Sequence, residues 1–112
     1  MAPEFNLLIV FWRRMSCKIR EIENSRLAKF IGFNITLYPF IFYYGVPLKT
    51  TRNHEFIHVE QIRKLGVFKF YFMYLYYYYS NRNKGMDHLT AYYAIPFEIE
   101  AYGRQNEERV NA

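Results

Sequence analysis

The residues of this sequence that offer the clearest chemistry are two histidines and a glutamate. His54, Glu55 and His58 form an H-E-x-x-H motif. On an α-helix, residues four apart share one face, so both imidazoles can point at one metal ion about 2.0–2.1 Å away. Glu55 lies about 100° around the helix from His54 and can reach the open side of that metal as a general base. This spacing is typical of zinc-dependent hydrolases.

A third protein ligand has to come from another part of the chain, because two imidazoles hold zinc incompletely. The metzincin form of the motif is excluded, since Gln61 and Lys64 stand where it needs glycine and histidine. The acidic segment after Ile95 remains, and it offers Glu98 and Glu100. These glutamates lie about 200° apart on a helix, so only one can face the metal, and the residue types alone do not choose between them.

The motif and the acidic segment together resemble the gluzincin clan of zinc metallopeptidases, in which H-E-x-x-H is followed downstream by a helix with Glu-x-x-Ala. The chain is more closely similar to small minigluzincin-like proteins of bacteria and phages. This similarity extends over residues 30 to 106. Four segments carry it: Pro39–Ile41, Asn53–Gln61, Phe68–Tyr79 and Ala91–Tyr102.

This resemblance implies a ligand set and a reaction. Glu98, three residues before the clan's alanine, becomes the third zinc ligand beside His54 and His58. Glu55 becomes the base that activates water, and the substrate becomes a peptide or protein. Glu100 then lies on the opposite face of its helix, where we expect it to meet solvent or a basic neighbour.

One position departs from the clan pattern. Tyr102 stands where the clan usually has an aspartate that orients a metal-bound histidine, and such partners tune metal affinity. Gluzincin-like sites also place a histidine or tyrosine to stabilise the oxyanion of the tetrahedral intermediate. His88, Tyr92 and Tyr102 are candidates for that role, and the alternative for His88 is a surface histidine at the start of a helix.

Length and composition indicate one domain with an aromatic core. The chain has 112 residues, 52% of them hydrophobic, with 12 tyrosines and 11 phenylalanines, whose rings bury much area per residue. The single cysteine, Cys17, excludes an internal disulfide framework. We expect one domain over residues 1–112, with an N-terminal helical arm over residues 1–29 and a minigluzincin-like core over residues 30–106.

The net charge of +5 is uneven and bears on the partners of the chain. Residues 1–52 carry eight Lys/Arg against three acids, whereas residues 96–112 carry two against four. No nucleic-acid recognition module or ordered basic–aromatic repeat accompanies this charge, so we expect no nucleic-acid partner. A basic cluster directly follows the apolar run Phe5–Trp12, which fits peripheral contact with a membrane surface and fits a solvated helix face equally well. Its members are Arg13, Arg14, Lys18 and Arg20.

The same apolar run bears on localisation. It precedes the positive charges, the reverse of the order in a cleavable signal peptide. Residues 30–48 are free of charge over 19 positions, but Asn34, Pro39 and Pro47 and the Phe/Tyr/Ile content favour a strand over a membrane span. We therefore expect a cytoplasmic protein, with membrane association as the alternative.

The expected fold is α+β and zincin-like: mostly helical, with a short strand or hairpin beside the H-E-x-x-H helix. Apolar spacing predicts a helix over residues 5–24, and residues 31–44 are predicted to form a bent strand or hairpin. The edge over residues 35–43 is the candidate for binding extended substrate. Thr50 or Thr51 is predicted to cap the metal-binding helix, which runs to about residue 64.

Two further helices complete the prediction. The aromatic segment Val67–Tyr79 is expected to pack across the metal-binding helix, with membrane contact as the alternative, and a polar loop follows over Ser80–Gly85. Asp87 is predicted to cap a helix that runs through Ala94. Pro96 is predicted to lie in the first turn of the last helix.

Three functions remain as hypotheses at this point. The first is a zinc-dependent metallopeptidase. The second is a catalytically inactive, zinc-stabilised structural protein, such as a phage component. The third is a membrane-surface interaction protein. The intact Glu55 favours the first, because a structural metal site has no need of a base.

Overall fold

Three short strands and five helices make up residues 18–107, the part of the chain that this computed structural model describes. The predicted α+β class, mostly helical, is confirmed. In chain order the elements are β1 (Arg20–Ile22), α1 (Arg26–Ile31), β2 (Ile35–Leu37), β3 (Phe40–Phe42), α2 (Lys49–Leu65), α3 (Val67–Asn83), α4 (His88–Tyr93) and α5 (Pro96–Arg104).

The strands form one sheet in the order β1-β3-β2. Strands β2 and β3 are an antiparallel hairpin that turns at Tyr38 and Pro39, which is one of the two forms predicted for residues 31–44, while β1 runs parallel to β3. Ile41 and Tyr43, from β3 and the residue after it, are fully buried and pack against Val59 of α2. The hairpin therefore lies directly beside the helix that carries the H-E-x-x-H motif.

Strand β1 contradicts the helix predicted over residues 5–24. Residues 20–22 pair with β3, and Glu21 is tied to α2 by two bonds from the Arg52 guanidinium, at 2.6 and 2.7 Å. Sheet pairing satisfies the main-chain groups that a helix would have satisfied, and apolar spacing within one segment cannot reveal a partner strand. Residues 5–17 of the predicted helix, with Arg13 and Arg14 of the basic cluster, lie outside the described residues.

Helix α1 was not predicted, although its boundaries carry ordinary signals. Ser25 caps its start by accepting a hydrogen bond from the Ala28 N–H at 3.3 Å. Gly32 ends it in the left-handed region at φ +90°, which glycine adopts without a steric penalty. The predicted helix ended at residue 24 and the predicted strand or hairpin began at residue 31, so most of this segment lay between the two predicted elements.

Helix α2 begins two or three residues earlier than a cap at Thr50 or Thr51 would place it, and it has no side-chain cap. Leu48 occupies the N-cap position, so the predicted cap at Thr50 or Thr51 is wrong, because both threonines lie within the first turn. The helix ends at Leu65, where Gly66 follows with φ +94°. Its apolar face is buried against the sheet and α3. Its other buried residues are polar: Asn53, His54, Glu55, His58 and Gln61.

Helix α3 runs to Asn83, so the loop predicted over Ser80–Gly85 is shorter than expected. Asn81 is buried and donates a hydrogen bond to the Ala91 carbonyl at 3.0 Å, which holds the last turn of α3 against α4. The predicted cap at Asp87 is confirmed, since its carboxylate accepts from the Thr90 N–H at 2.8 Å. Pro96 lies in the first turn of α5, also as predicted.

Among residues 18–107, no helix combines the length and the apolar composition that crossing a bilayer requires.

Candidate metal centre

Helix α2 places its two histidine rings at contact distance. The Nε2 atoms of His54 and His58 lie 3.2 Å apart, and the side chains are buried, with 8% and 5% of their surface exposed. Four ligands held at about 2.0–2.1 Å from a tetrahedral zinc ion lie about 3.3 Å from one another. The separation of the two nitrogens therefore suits a shared metal ion.

Helix α5 brings Glu98 against both rings. Its Oε1 lies 3.0 Å from Nε2 of His54, and its Oε2 lies 3.1 Å from Nε2 of His58. Glu98 is 3% exposed, and the fully buried Ala101 one turn later lets α5 approach α2 closely. The Tyr74 hydroxyl of α3 donates to Oε2 at 2.7 Å and fixes the orientation of the carboxylate.

Glu100 points to a different set of partners. Its Oε1 accepts from the Gln61 side-chain nitrogen at 2.9 Å, and its Oε2 accepts from the Arg104 guanidinium at 2.7 Å. The two glutamates that the sequence left as alternatives thus occupy different environments. Glu98 meets the imidazoles, whereas Glu100 meets a basic neighbour.

Glu55 supplies a second buried carboxylate. One ligand atom each from His54, Glu55 and His58 lie within 4.8 Å of one another, close enough to hold a metal ion. Glu55 is 6% exposed, and its Oε2 has no hydrogen-bond partner. Burial raises the pKa of Glu55, and the charges of His58 and His54 oppose this only in part. An unpaired buried carboxylate oxygen is costly to the fold, which is the expected sign of a group kept for binding or chemistry.

Hydrogen bonds at Nδ1 of His58, the ring nitrogen that does not contact Glu98, define which nitrogen carries the proton of the neutral ring. The Gln61 side-chain nitrogen donates to the Phe97 carbonyl at 3.0 Å and to Glu100 at 2.9 Å. Both partners are acceptors, so Gln61 must turn its oxygen toward His58 Nδ1, which is 2.9 Å away. That oxygen can only accept, and Nδ1 therefore carries a proton. In the neutral ring, Nε2 then presents its lone pair to the centre of the cluster.

His54 is oriented in the same way by a residue from the end of α5. Its Nδ1 lies 2.9 Å from Oε1 of Gln105. The segment around Gln105 is itself held by the Asn53 side chain, which donates to the main-chain carbonyls of Gln105 and Glu107 at 3.1 Å. Gln105 thus gives His54 a partner that fixes the orientation of its ring.

The buried Glu98 carboxylate makes the charge balance of the cluster depend on positive charge at the two imidazoles. Burial raises the pKa of Glu98, but hydrogen bonds from His54, His58 and Tyr74 outweigh it and hold that pKa well below its ordinary range. Burial lowers the pKa of His58, but the hydrogen bond and charge of Glu98 outweigh this and raise it. A carboxylate facing two imidazole nitrogens needs positive charge between them, supplied either by protons on the rings or by a bound metal ion.

The remaining predicted residues divide between the cluster and the surface. The Tyr102 ring packs edge-on against His54 with its centroid 4.3 Å away, and its hydroxyl lies 3.4 Å from that of Tyr92. His88 is exposed and its Nδ1 is 2.8 Å from the Tyr78 hydroxyl. The structure therefore brings Tyr102 and Tyr92 to the cluster and gives His88 a partner outside it.

The strand edge predicted to bind substrate is largely occupied. Strand β3 pairs on both sides, so residues 40–42 have no free edge. At β2 and the residue after it, the Tyr71 hydroxyl donates to the Thr36 carbonyl at 2.9 Å and accepts from the Tyr38 N–H at 3.1 Å. Main-chain groups that an added strand would need are already bonded within the protein, which corrects the prediction for residues 35–43.

Two residues that orient the histidine rings, Gln61 and Gln105, were not predicted from the sequence. Gln61 stands three positions after His58, which is one helical turn, and this spacing could have marked it as a partner of the ring. Gln105 lies just beyond the end of α5. No spacing rule connects it to His54, because only the packing of α5 on α2 brings them together.

Comparisons of the chain with known proteins give no assignment. No protein-family model, no curated protein and no solved structure matches it.

Gln105 provides a test of the orienting hydrogen bond. Replacing Gln105 with alanine should weaken zinc binding roughly 10- to 100-fold, because His54 loses the acceptor that fixes its ring and tautomer. Gln105→Glu should retain affinity, since it keeps an acceptor at the same place. Competition titration against a chromophoric chelator measures both, with Asn106→Ala as the exposed neighbouring control. Equal affinity in Gln105→Ala and Asn106→Ala would contradict the role of Gln105.

Proposed function

We propose that this chain is a zinc-dependent metallopeptidase with a zincin-like arrangement of its two site helices. The observation that carries the proposal is the convergence of His54, His58 and Glu98 beside the unpaired, buried carboxylate of Glu55. Three protein ligands with a carboxylate beside them are the arrangement of a catalytic zinc site rather than a closed structural one.

Zinc is the metal that this donor set suits best. Two imidazole nitrogens and one carboxylate oxygen are intermediate-to-hard ligands that zinc accepts in tetrahedral geometry, with the fourth position left for water or substrate. The Nε2–Nε2 separation of 3.2 Å agrees with that geometry. A zinc ion held there would polarise the carbonyl of a peptide and lower the pKa of an attacking water.

The protein's own groups would then move the protons. Glu55 takes a proton from the attacking water and delivers it to the amine nitrogen that leaves as the peptide bond breaks. Its raised pKa, which burial causes, makes it a stronger base than an exposed glutamate. Burial also raises the pKa of Tyr102 and of Tyr92, so both hydroxyls stay protonated and able to donate to the oxyanion.

The substrate would be a peptide or protein that approaches past Tyr102. This residue covers the His54 ring and is 40% exposed, so it lies between the buried ligands and solvent. Because Tyr71 occupies main-chain groups of β2, the substrate would be held mainly through side-chain and tyrosine contacts rather than by adding a strand at Thr36 and Tyr38.

One observation favours a second candidate, the zinc-stabilised structural protein. The three ligands and Glu55 are only 3–8% exposed, and a buried metal site can stabilise a small domain outright. In that case the metal would raise the melting temperature without any turnover. The unpaired oxygen of Glu55 favours the enzyme, because a purely structural site would be more stable without it.

The experiment that tests the proposal is hydrolysis of a denatured protein such as casein by the purified full chain. We expect fragments to accumulate when zinc is present. We also expect cleavage to stop when a chelator removes the metal, and to return on adding zinc. If one zinc ion binds per chain and raises the melting temperature, yet no cleavage of denatured proteins or peptide mixtures occurs, the structural candidate replaces the enzyme.

A further inference from the structure

Helix α3 leaves one apolar face open within the part of the chain that the structure describes. Five side chains on it are 55–91% exposed. At about 100° per residue they fall within an arc of about 100°, so they form one stripe along the helix. We call this stripe the aromatic face: Phe68, Phe72, Leu75, Tyr76 and Tyr79.

The opposite side of α3 packs against α2 and α5. Phe70 is buried against Ile62 of α2, and Phe97 of α5 lies 4.7 Å from the Phe70 ring. A helix that is apolar all round is normally buried all round. Helix α3 is apolar on both sides but packed on one, and a contiguous exposed apolar patch indicates an interaction surface.

Positive charges border the aromatic face. Lys69 lies about 20° beyond one margin of the stripe and Arg82 about 20° beyond the other, while Lys64 and Lys84 lie near its two ends. All four are exposed. From residue 61 to residue 86 the sequence has five Lys/Arg and no Asp/Glu. The surface around the stripe is therefore cationic without a compensating anion on the same helix.

We propose that the aromatic face binds the surface of an anionic membrane, with α3 lying in the plane of the interface. Apolar and aromatic side chains enter the boundary between headgroups and acyl chains, and bordering cations are attracted to anionic lipids. A shallow depression at the end of the face offers hydroxyl, amide and ammonium groups suited to a lipid phosphate. Its lining residues are Tyr76, Tyr79, Ser80, Asn83 and Lys84.

Charge distinguishes this partner from two others. A second copy of the chain, packed through the same face, would bring the cations of both copies together. A nucleic acid would need cations under its phosphates, but residues 70–81 in the middle of α3 carry none. An anionic bilayer suits both features of α3. Its acyl-chain boundary accepts the uncharged aromatic face, and its anionic headgroups attract the cations that border that face.

The test is co-sedimentation of the full chain with phosphatidylcholine vesicles that contain or lack phosphatidylserine. We expect binding to the phosphatidylserine vesicles. The double variant Phe68→Gln/Phe72→Gln should bind them at least roughly tenfold more weakly, and Lys69→Glu/Arg82→Glu roughly tenfold more weakly or worse. These side chains are exposed and glutamine and glutamate favour helix, so both variants should fold.

Matched controls lie on helix α1. Phe30 is 89% exposed and Lys29 is exposed, so Phe30→Gln and Lys29→Glu make the same types of substitution, each at a single position, away from α3. We expect both to bind vesicles like the unchanged chain. Controls that lose as much binding as the α3 variants would overturn the assignment to the aromatic face.

Two other results would also overturn the proposal. In the first, the chain ignores both vesicle types, and Phe68→Gln/Phe72→Gln converts a dimer into a monomer in sedimentation velocity; the face is then a contact between copies. In the second, that variant lowers the melting temperature of a monomer without affecting vesicle binding; the face is then covered within the chain. Neither result bears on the metal centre, so the two proposals can fail separately.

Discussion

Glu98→Ala should lower zinc affinity by more than roughly 100-fold, whereas Glu100→Ala should lower it by at most roughly tenfold. Loss of a residue that only orients a ligand costs about 10- to 100-fold, and Glu98 contacts both imidazoles directly at 3.0 and 3.1 Å. Glu100 reaches His58 only through Gln61. The two variants make the same chemical change two residues apart on one helix, so each controls for the other.

Zinc titration measures this difference, and circular dichroism checks that helix content is unchanged. His58→Ala serves as the reference for a lost ligand and should abolish stoichiometric binding, because the remaining groups cannot complete a tetrahedral site. Equal affinities in Glu98→Ala and Glu100→Ala would mean that α5 does not supply the third ligand. A larger loss in Glu100→Ala would assign the ligand to the other glutamate.

Glu55→Gln should remove peptidase activity while retaining zinc. The amide keeps the size of the carboxylate but cannot accept the proton of the attacking water, and a general base contributes roughly 10²- to 10⁴-fold to such a step. We expect cleavage of denatured casein to fall by that factor. Zinc titration of the same preparation should give the affinity of the unchanged chain, because the proposed ligands are His54, His58 and Glu98.

Two outcomes would contradict this role of Glu55. Unchanged cleavage would show that another group accepts the proton. A large loss of zinc together with activity would show that Glu55 is a metal ligand, which its position within 4.8 Å of both imidazole nitrogens also permits geometrically. Glu60→Gln, on the same helix and partly exposed, is the matched control for the substitution.

The local part of this structure could be predicted from the sequence. The pairing of His54 with His58 depends on one helix, and the cap at Asp87 and the position of Pro96 depend on residues within one turn. The hairpin was one of two predicted forms, because apolar residues on both sides of Pro39 are consistent with a bent strand or with two strands and a turn. In each case the residues that decide the structure are neighbours in the chain.

The contacts between distant segments could not be predicted in the same way. Strand β1 exists because β3 pairs with it, so its three residues carry no decisive signal of their own. Gln105 and Tyr74 reach the candidate metal centre from the end of α5 and from α3. Their approach is fixed by the packing of Ala101 and Phe70 in the core, and no spacing along the sequence encodes it.

Composition alone did not predict which side chains of helix α3 are buried. Its aromatic residues favoured a core helix, and Phe70 and Tyr74 do pack toward the core. Phe68 and Phe72 have the same side chain as Phe70 but are 91% and 75% exposed. Residue type alone could not separate the two sides, because the helix is apolar around its whole circumference.

The central claim is that His54, His58 and Glu98 bind one zinc ion, and anomalous X-ray diffraction from zinc-loaded crystals tests it most directly. We predict one peak per chain above the zinc absorption edge, about 2.0–2.2 Å from both Nε2 atoms and from an oxygen of Glu98. The same peak should be missing below the edge. A chain saturated with zinc that shows no such peak among these three side chains, or shows it elsewhere, would contradict the claim.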